Sequence, residues 1–203
     1  MAIELKKRGD KINLNKKNIN RNYEININLN WNAKIKDDRG FLSRLFSLNN
    51  SGIDLDLGCL YELKNGKIGV VQALGKDFGS LEREPFIMLD KDDRSGASDT
   101  GENLFINGEK ISEIKRVLVF TYIYEGAVNW ATVDGVVTIK DNSGEAIIIK
   151  MDEHSNKKMC ALAMLENYEN SSFSIEKIVS YFNGHEEMDR YFKWGLTWTV
   201  GRK

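Results

Sequence analysis

Proline is all but missing from this chain: Pro85 is the only one among 203 residues. Cysteine is nearly as scarce. Cys59 and Cys160 lie far apart, each inside an apolar run, which argues against a disulfide framework or a Cys-based zinc site and reads as two buried free thiols in a reducing cytoplasm. Only two histidines are present, His154 and His185, each beside acids (Asp152 and Glu153; Glu186 and Glu187), whereas a zinc site needs three or four ligands in tetrahedral array. No apolar run approaches the roughly 20 residues that span a bilayer. No apolar h-region follows Met1, so no secretory signal is expected. Charge of one sign is not in excess either. Lys and Arg number 29 against 30 Asp and Glu, which leaves no electrostatic footprint for nucleic acid or an anionic membrane. Gly-x-Ser-x-Gly elbows, phosphate-cradling loops and dinucleotide fingerprints are absent. These absences predict a cytoplasmic protein with no transmembrane segment and no nucleic-acid partner.

What the chain does have is period-two alternation. Ile12-Asn13-Leu14 reads as a short edge strand. Tyr23 to Trp31 reads as a long one, with Tyr23, Ile25, Ile27, Leu29 and Trp31 on one face. Asparagine is dense near the N-terminus, but its alternation with these apolar residues argues for structure and for nucleotide bias rather than a prion-like tract. Lys34 to Asn50 is polar, with Phe41-Leu42 and Leu45-Phe46 suggesting a helical turn. Ile53 to Tyr61 reads as a strand, Asn65-Gly66 as a hairpin turn and Ile68 to Val71 as the return. Pro85 to Leu89 is a further strand. Val117 to Tyr124 is nearly continuous in apolar residues, hence central and covered on both faces. Two hairpins follow: Gly135–Lys140 with Ala146–Met151, and Lys158–Tyr168 with Phe173–Phe182. Gly184 to Phe192 is the best helix, and Leu196 to Val200 reads as a last strand. The pattern predicts one all-β domain over residues 1–203, a β-sandwich of two mainly antiparallel sheets with a short C-terminal helix. No βαβ rhythm points to a parallel α/β sheet.

The segment from Leu89 to Leu104 is the richest in chemistry. Five acids, an Asn and two Gly follow the apolar run Phe86-Ile87-Met88-Leu89. Crowded carboxylates repel unless a hard cation neutralises them, and Ca²⁺ takes six to eight oxygen ligands from Asp, Glu, Asn and backbone carbonyls. Asp90, Asp92 and Asp93 begin like a helix-loop-helix Ca²⁺ loop, but the count fails. That loop needs Gly at its sixth position and Glu at its twelfth, where this chain has Ser95 and Gly101, with Glu102 one residue late. Asp54 and Asp56 form a second acidic pair whose spacing puts both on one face of a strand. In a sandwich, that strand end and the Asp90–Asn103 loop can share one edge. On sequence physics alone a metal loop and a solvated acidic loop serve these residues equally well. Trp130, Trp194 and Trp198 with Tyr191 and Phe192 suit either an aromatic patch or, more commonly, packing under the last helix.

These same residues carry a family resemblance. Ile53-Asp54-Leu55-Asp56-Leu57 followed by Asn65-Gly66-Lys67 resembles the Asp-Leu-Asp strand and hairpin of TerD-type domains of tellurium-resistance and general stress proteins. Phe86-Ile87-Met88-Leu89-Asp90 and Gly101-Glu102-Asn103-Leu104 resemble two further motifs of that family. Ile3 to Leu14 resembles its opening strand pair, and Leu29-Asn30-Trp31 its Gly-Trp strand. The stretch Leu89 to Gly96, Glu102-Asn103-Leu104 with Ile106-Asn107-Gly108, and Tyr181-Phe182 through Trp194-Gly195-Leu196 are similar to the TerA-like branch. The resemblance implies a two-sheet sandwich, Ca²⁺ as cofactor held in acidic loops at one end by Asp54, Asp56, Asp90, Asp92, Asp93, Glu102 and Asn103, and no catalytic activity. It implies a role in tellurite and stress resistance alongside other tellurium-resistance proteins, in a membrane-associated or multiprotein assembly. The chain departs from the TerD pattern after Asn103, where Leu104 to Lys110 replaces a Gly- and acid-rich run, so fewer ligands are expected. A metal-dependent enzyme acting on a tellurium oxyanion or a phosphorylated ligand is the alternative; it would need His185 or Ser98 beside the metal.

Overall fold

Alternating apolar residues along strands leave one wet and one dry face, and here two such dry faces close on each other. The computed structural model describes residues 2–14, 23–31, 54–90, 101–125, 130–141, 145–151 and 154–199. Thirteen strands are formed among them: β1 (Ala2–Glu4), β2 (Lys11–Asn13), β3 (Glu24–Asn30), β4 (Asp54–Leu63), β5 (Ile68–Gln72), β6 (Gly79–Ser80), β7 (Ile87–Leu89), β8 (Glu102–Asn107), β9 (Ile114–Glu125), β10 (Gly135–Asp141), β11 (Ala146–Met151), β12 (Met159–Tyr168) and β13 (Ser172–Phe182). One sheet runs β1-β11-β10-β3-β8-β7-β6 and the other β2-β13-β12-β9-β4-β5. All pairings are antiparallel except β1 with β11. The β-sandwich expected from the sequence is therefore the fold.

Ile25, Ile27 and Leu29 of β3 pack inward against Leu55, Leu57 and Cys59 of β4 in the core between the sheets, while the intervening Asn26 and Asn28 face out, half-buried. Residues Val117 to Ile123 of β9 are all buried, as its unbroken apolar run predicts. Val117, Val119 and Ile123 join the inter-sheet core, whereas Leu118, Phe120 and Tyr122 join a second apolar cluster on the outer face of the six-stranded sheet. That second cluster exists because the C-terminal helix (His185–Phe192) and the segment after it lie across the sheet with Met188 and Trp194. Cys59 and Cys160 are buried free thiols, and burial pushes the Cys59 thiol up.

The opening strands divide between the sheets, and one expected strand is not formed. The two opening strands within Ile3 to Leu14 are both edge strands, as expected for Ile12 to Leu14, but of different sheets: β1 adds to the seven-stranded sheet beside β11, and β2 to the six-stranded sheet beside β13. The turn between them crosses from sheet to sheet, closed by the Asp10 carboxylate accepting from the Lys6 and Lys7 N–H groups. The expected strand from Leu196 to Val200 is irregular through Thr199. Its N–H groups are captured by a side chain instead of a neighbouring strand. Asp189 Oδ1 accepts from Gly195 N–H (2.9 Å), and Oδ2 from Leu196 N–H (3.0 Å) and Trp198 Nε1–H (3.2 Å). The helical turn expected within Lys34–Asn50 lies outside the described residues.

Candidate functional site

The ends of β3, β7 and the starts of β4 and β8 come together at one end of the sandwich. Asp90 follows β7, and its N–H donates to the Asn103 carbonyl at 2.9 Å, so the two ends of the acidic segment lie side by side. Gly101 precedes β8 in the left-handed region (φ +60°), and a Cβ there would strike the Leu29 carbonyl of β3. Only glycine lets the chain enter β8 this close to its neighbour.

Glu102 is the first residue of β8 and points between the sheets, only 1% exposed. Its Oε2 accepts a hydrogen bond from the backbone N–H of Leu57 at 2.5 Å. The reason lies in the strand lengths. β5 pairs with β4 only from Gly58 to Glu62, so among the described residues β4 from Leu57 back to Asp54 has no partner strand on that side. A carboxylate from the opposite sheet supplies the acceptor that a sixth residue of β5 would have supplied.

Asp54 and Asp56 are buried in the same stretch of β4, at 5% and 0% exposure. Leu55 and Leu57 belong to the inter-sheet core and Leu60 to the outer cluster, so strand alternation places Asp54 and Asp56 on the outer side. Glu102 approaches from the inner side. The structure thus brings Asp54, Asp56, Asp90, Glu102 and Asn103 to one end, but sets the Asp pair and Glu102 on opposite faces of β4. Asn103 is turned away from both. Its Oδ1 accepts from Asn26 Nδ2 (3.2 Å) and Asn28 Nδ2 (3.0 Å) on the outer face of the seven-stranded sheet. Asp92 and Asp93 lie outside the described residues. Among the described residues no three His, Cys, Asp or Glu side chains are placed to hold a metal ion. The donors are all oxygen, which suits Ca²⁺.

Three partners escaped the sequence reading. Asn26 and Asn28 were assigned to nucleotide bias, yet their alternation put both on one face and within reach of Asn103. Gln72 had no signal at all. Its Oε1 lies 2.8 Å from His185 Nε2, and the His185 ring packs edge-on against Phe120 and Tyr122, at 5.4 Å from each, and 4.7 Å from Trp198. Burial lowers the His185 pKa to about 4, so the ring is neutral near pH 7. Tyr122 is the cross-strand partner of Asp56, which places His185 on the same side of the sheet as the Asp pair. The cavity beside His185, about 590 Å³, is lined by Asn183, Glu187, Arg190 and Trp198 among others, and by neither Asp54 nor Asp56. Ser98 lies outside the described residues.

Two solved structures share this architecture. A homologue of the telluride resistance protein TerD from Streptomyces coelicolor A3(2) superposes with a TM-score of 0.57, covering 83% of this chain and 95% of its own, at 16% identity. A protein of unknown function gives the same TM-score over 83% and 94% of the two chains, at 13% identity. The fold is that of a TerD-type β-sandwich. In sequence, the chain is 45% identical over 181 residues to the tellurium resistance protein TerA of an Alcaligenes species. The chain is thus similar in sequence to a TerA-type tellurium-resistance protein, the similarity its motifs predict. The aligned stretch is 89% of this chain and 52% of that protein, so the chain spans about half the length of the curated relative it matches. No family model matches the chain.

Proposed function

We propose that the chain is a non-enzymatic, calcium-binding interaction module of a tellurite-resistance and stress protein, acting in the cytoplasm with other tellurium-resistance proteins in a membrane-associated or multiprotein assembly. The observation that carries this reading is the gathering of buried Asp54, Asp56 and Glu102 at the end of the sandwich where Asp90 opens the segment holding Asp92 and Asp93. Burial of ionised carboxylates is costly unless positive charge or donors offset it. Leu57 N–H does this for Glu102. In this reading a Ca²⁺ ion held by Asp92 and Asp93 lies beside the Asp pair, with Asp90 at the rim. Glu102 and Asn103, held by Leu57 and by the two asparagines, frame the loop rather than close on the ion. The relationship to TerA supports the tellurium-resistance part of the reading.

Calorimetric melting of the intact chain in Ca²⁺ and then in chelator tests it. An ion bound only to the folded state raises the melting temperature by mass action. Equal melting temperatures in the two buffers would rule out a tight site. His185, on the Asp56 side of the sheet, is the one described residue that favours the competing enzymatic reading. Turnover of a tellurium oxyanion or a phosphorylated ligand that is lost in His185→Gln would decide for that reading.

A further inference from the structure

The C-terminal helix and the segment after it do more than cover the six-stranded sheet. The cavity of about 590 Å³ beside His185 opens between them. Small-molecule sites have volumes of about 300–1,000 Å³. The walls of this one are held from behind. Asp189 accepts from the Gly195 and Leu196 N–H groups and from Trp198 Nε1–H, which fixes the indole. His185 is held by Gln72 Oε1, and its ring lies 4.7 Å from that of Trp198. Glu187 is occupied as well: Oε1 accepts from Lys157 Nζ at 3.1 Å, and Oε2 from the N–H and Nδ2 of Asn183 at 2.7 Å each.

Two charged side chains on the cavity are left over. Glu186 and Arg190 stand four residues apart on the helix, the spacing that makes an acid and a base neighbours. Exposed acids and bases do pair elsewhere on this fold, as Lys11 does with Glu166 at 2.9 Å. Glu186 and Arg190 do not. Among the described residues neither side chain has a hydrogen bond or an ion pair, and both line the cavity. Lys193 lines only the neighbouring cavity, toward the end of the helix. The cavity beside His185 therefore presents one free carboxylate, one free guanidinium and the half-buried Trp198 ring.

We propose that this cavity binds a free α-amino acid with an aromatic side chain. The Arg190 fork matches the two oxygens of the ligand carboxylate. Glu186 takes the ammonium group. The ligand ring packs on Trp198 beside His185, in the offset or edge-on contacts that aromatic rings favour. The three features select this class together. A simple carboxylate would meet the like charge of Glu186, and a simple amine that of Arg190, so each is disfavoured where a zwitterion is not. The site is independent of the cation reading, since neither Asp54 nor Asp56 lines the cavity.

An NMR titration of the intact chain in chelator is the test, followed at the Trp198 indole N–H resonance, which Trp198→Phe assigns. L-Phenylalanine should shift it saturably with a Kd of about 1 mM or tighter. 3-Phenylpropionate lacks the ammonium and 2-phenylethylamine lacks the carboxylate; each should bind at least tenfold more weakly. Arg190→Gln and Glu186→Gln should each weaken L-phenylalanine at least tenfold. Glu186→Gln should also abolish the preference for L-phenylalanine over 3-phenylpropionate. Both side chains are exposed, so these variants should fold as the parent does, which circular dichroism checks. Tyr191→Ala, on the same helix, should bind as the parent does. The comparison of the three ligands needs no variant and decides by itself if one fails to fold. Absence of a saturable shift up to about 10 mM overturns the proposal. So do equal affinities for the three ligands, or parent-like binding by Arg190→Gln or Glu186→Gln.

Discussion

Glu102 and Leu57 belong to different sheets, yet the Leu57 N–H donates to Glu102 Oε2 at 2.5 Å. A side chain from one layer completes the backbone hydrogen bonding of the other at the place where β5 stops short. Glu102→Leu leaves the Leu57 N–H buried with no acceptor, which costs about 1–3 kcal/mol. Glu102→Gln keeps an acceptor oxygen and should lose less. Urea unfolding of the three proteins checks the order; equal losses for Leu and Gln would mean that the hydrogen bond contributes nothing.

Removing Asp92 and Asp93 distinguishes a loop-held cation from one held by the strand ends alone. With Asp92→Asn and Asp93→Asn together, the rise in melting temperature on adding Ca²⁺ should disappear, while the melting temperature in chelator stays that of the parent chain. A calcium response that survives in the double variant places the ion elsewhere.

His185 gives stability a definite dependence on pH. Unfolded, an imidazole takes up its proton near pH 6.5, whereas burial holds the folded ring's value near 4. Between those values the unfolded chain binds more protons, so stability is full above about pH 6.5 and falls as pH drops toward 4, by at most about 3 kcal/mol. His185→Gln removes this component, and the difference in unfolding free energy between the two proteins should change across that window. The His185 proton resonances should titrate near pH 4. A midpoint above 6 contradicts the assignment.

Asp189 fastens the C-terminal segment with three N–H donors. Asp189→Ala leaves Gly195 and Leu196 without their acceptor and should cost about 1–3 kcal/mol. It should also move Trp198 into water. A red shift of tryptophan emission and faster protease cleavage near Thr197 are the readouts. Unchanged emission would show that apolar contacts alone hold the segment.

Most of the strand order was legible because alternation reports burial directly. Ile25, Ile27 and Leu29 announce a half-buried strand, and Val117 to Ile123 one covered on both faces. The sandwich itself follows from many such runs with Gly and Asn turns between them. Leu196 to Val200 looked like one more strand because alternating apolar residues cannot say who satisfies the backbone; here Asp189 does, seven residues earlier. The acidic end was legible as composition but not as geometry. Its acids were recognisable as a group. That Asp56 and Glu102 sit on opposite faces of β4 depends on where β5 ends and on how the two sheets superimpose, and neither is written in local sequence. The Asn26–Asn103 contact was hidden for the same reason, since it joins residues 77 positions apart.

The separation of β1 and β2 into different sheets has a consequence for how the chain is made. β1 and β2 border strands made far later: Ala2 waits for Ala146, and Ile12 for Ile175. The seven-stranded sheet cannot close this margin before Ala146 to Ile148 are in place, nor the six-stranded sheet before Ser174 to Glu176. Such long-range closure is slow, since the entropy of a large loop is lost before the contacts that reward it are made. β1 and β2 therefore act as a late fastening of the fold although both are synthesised long before their partners.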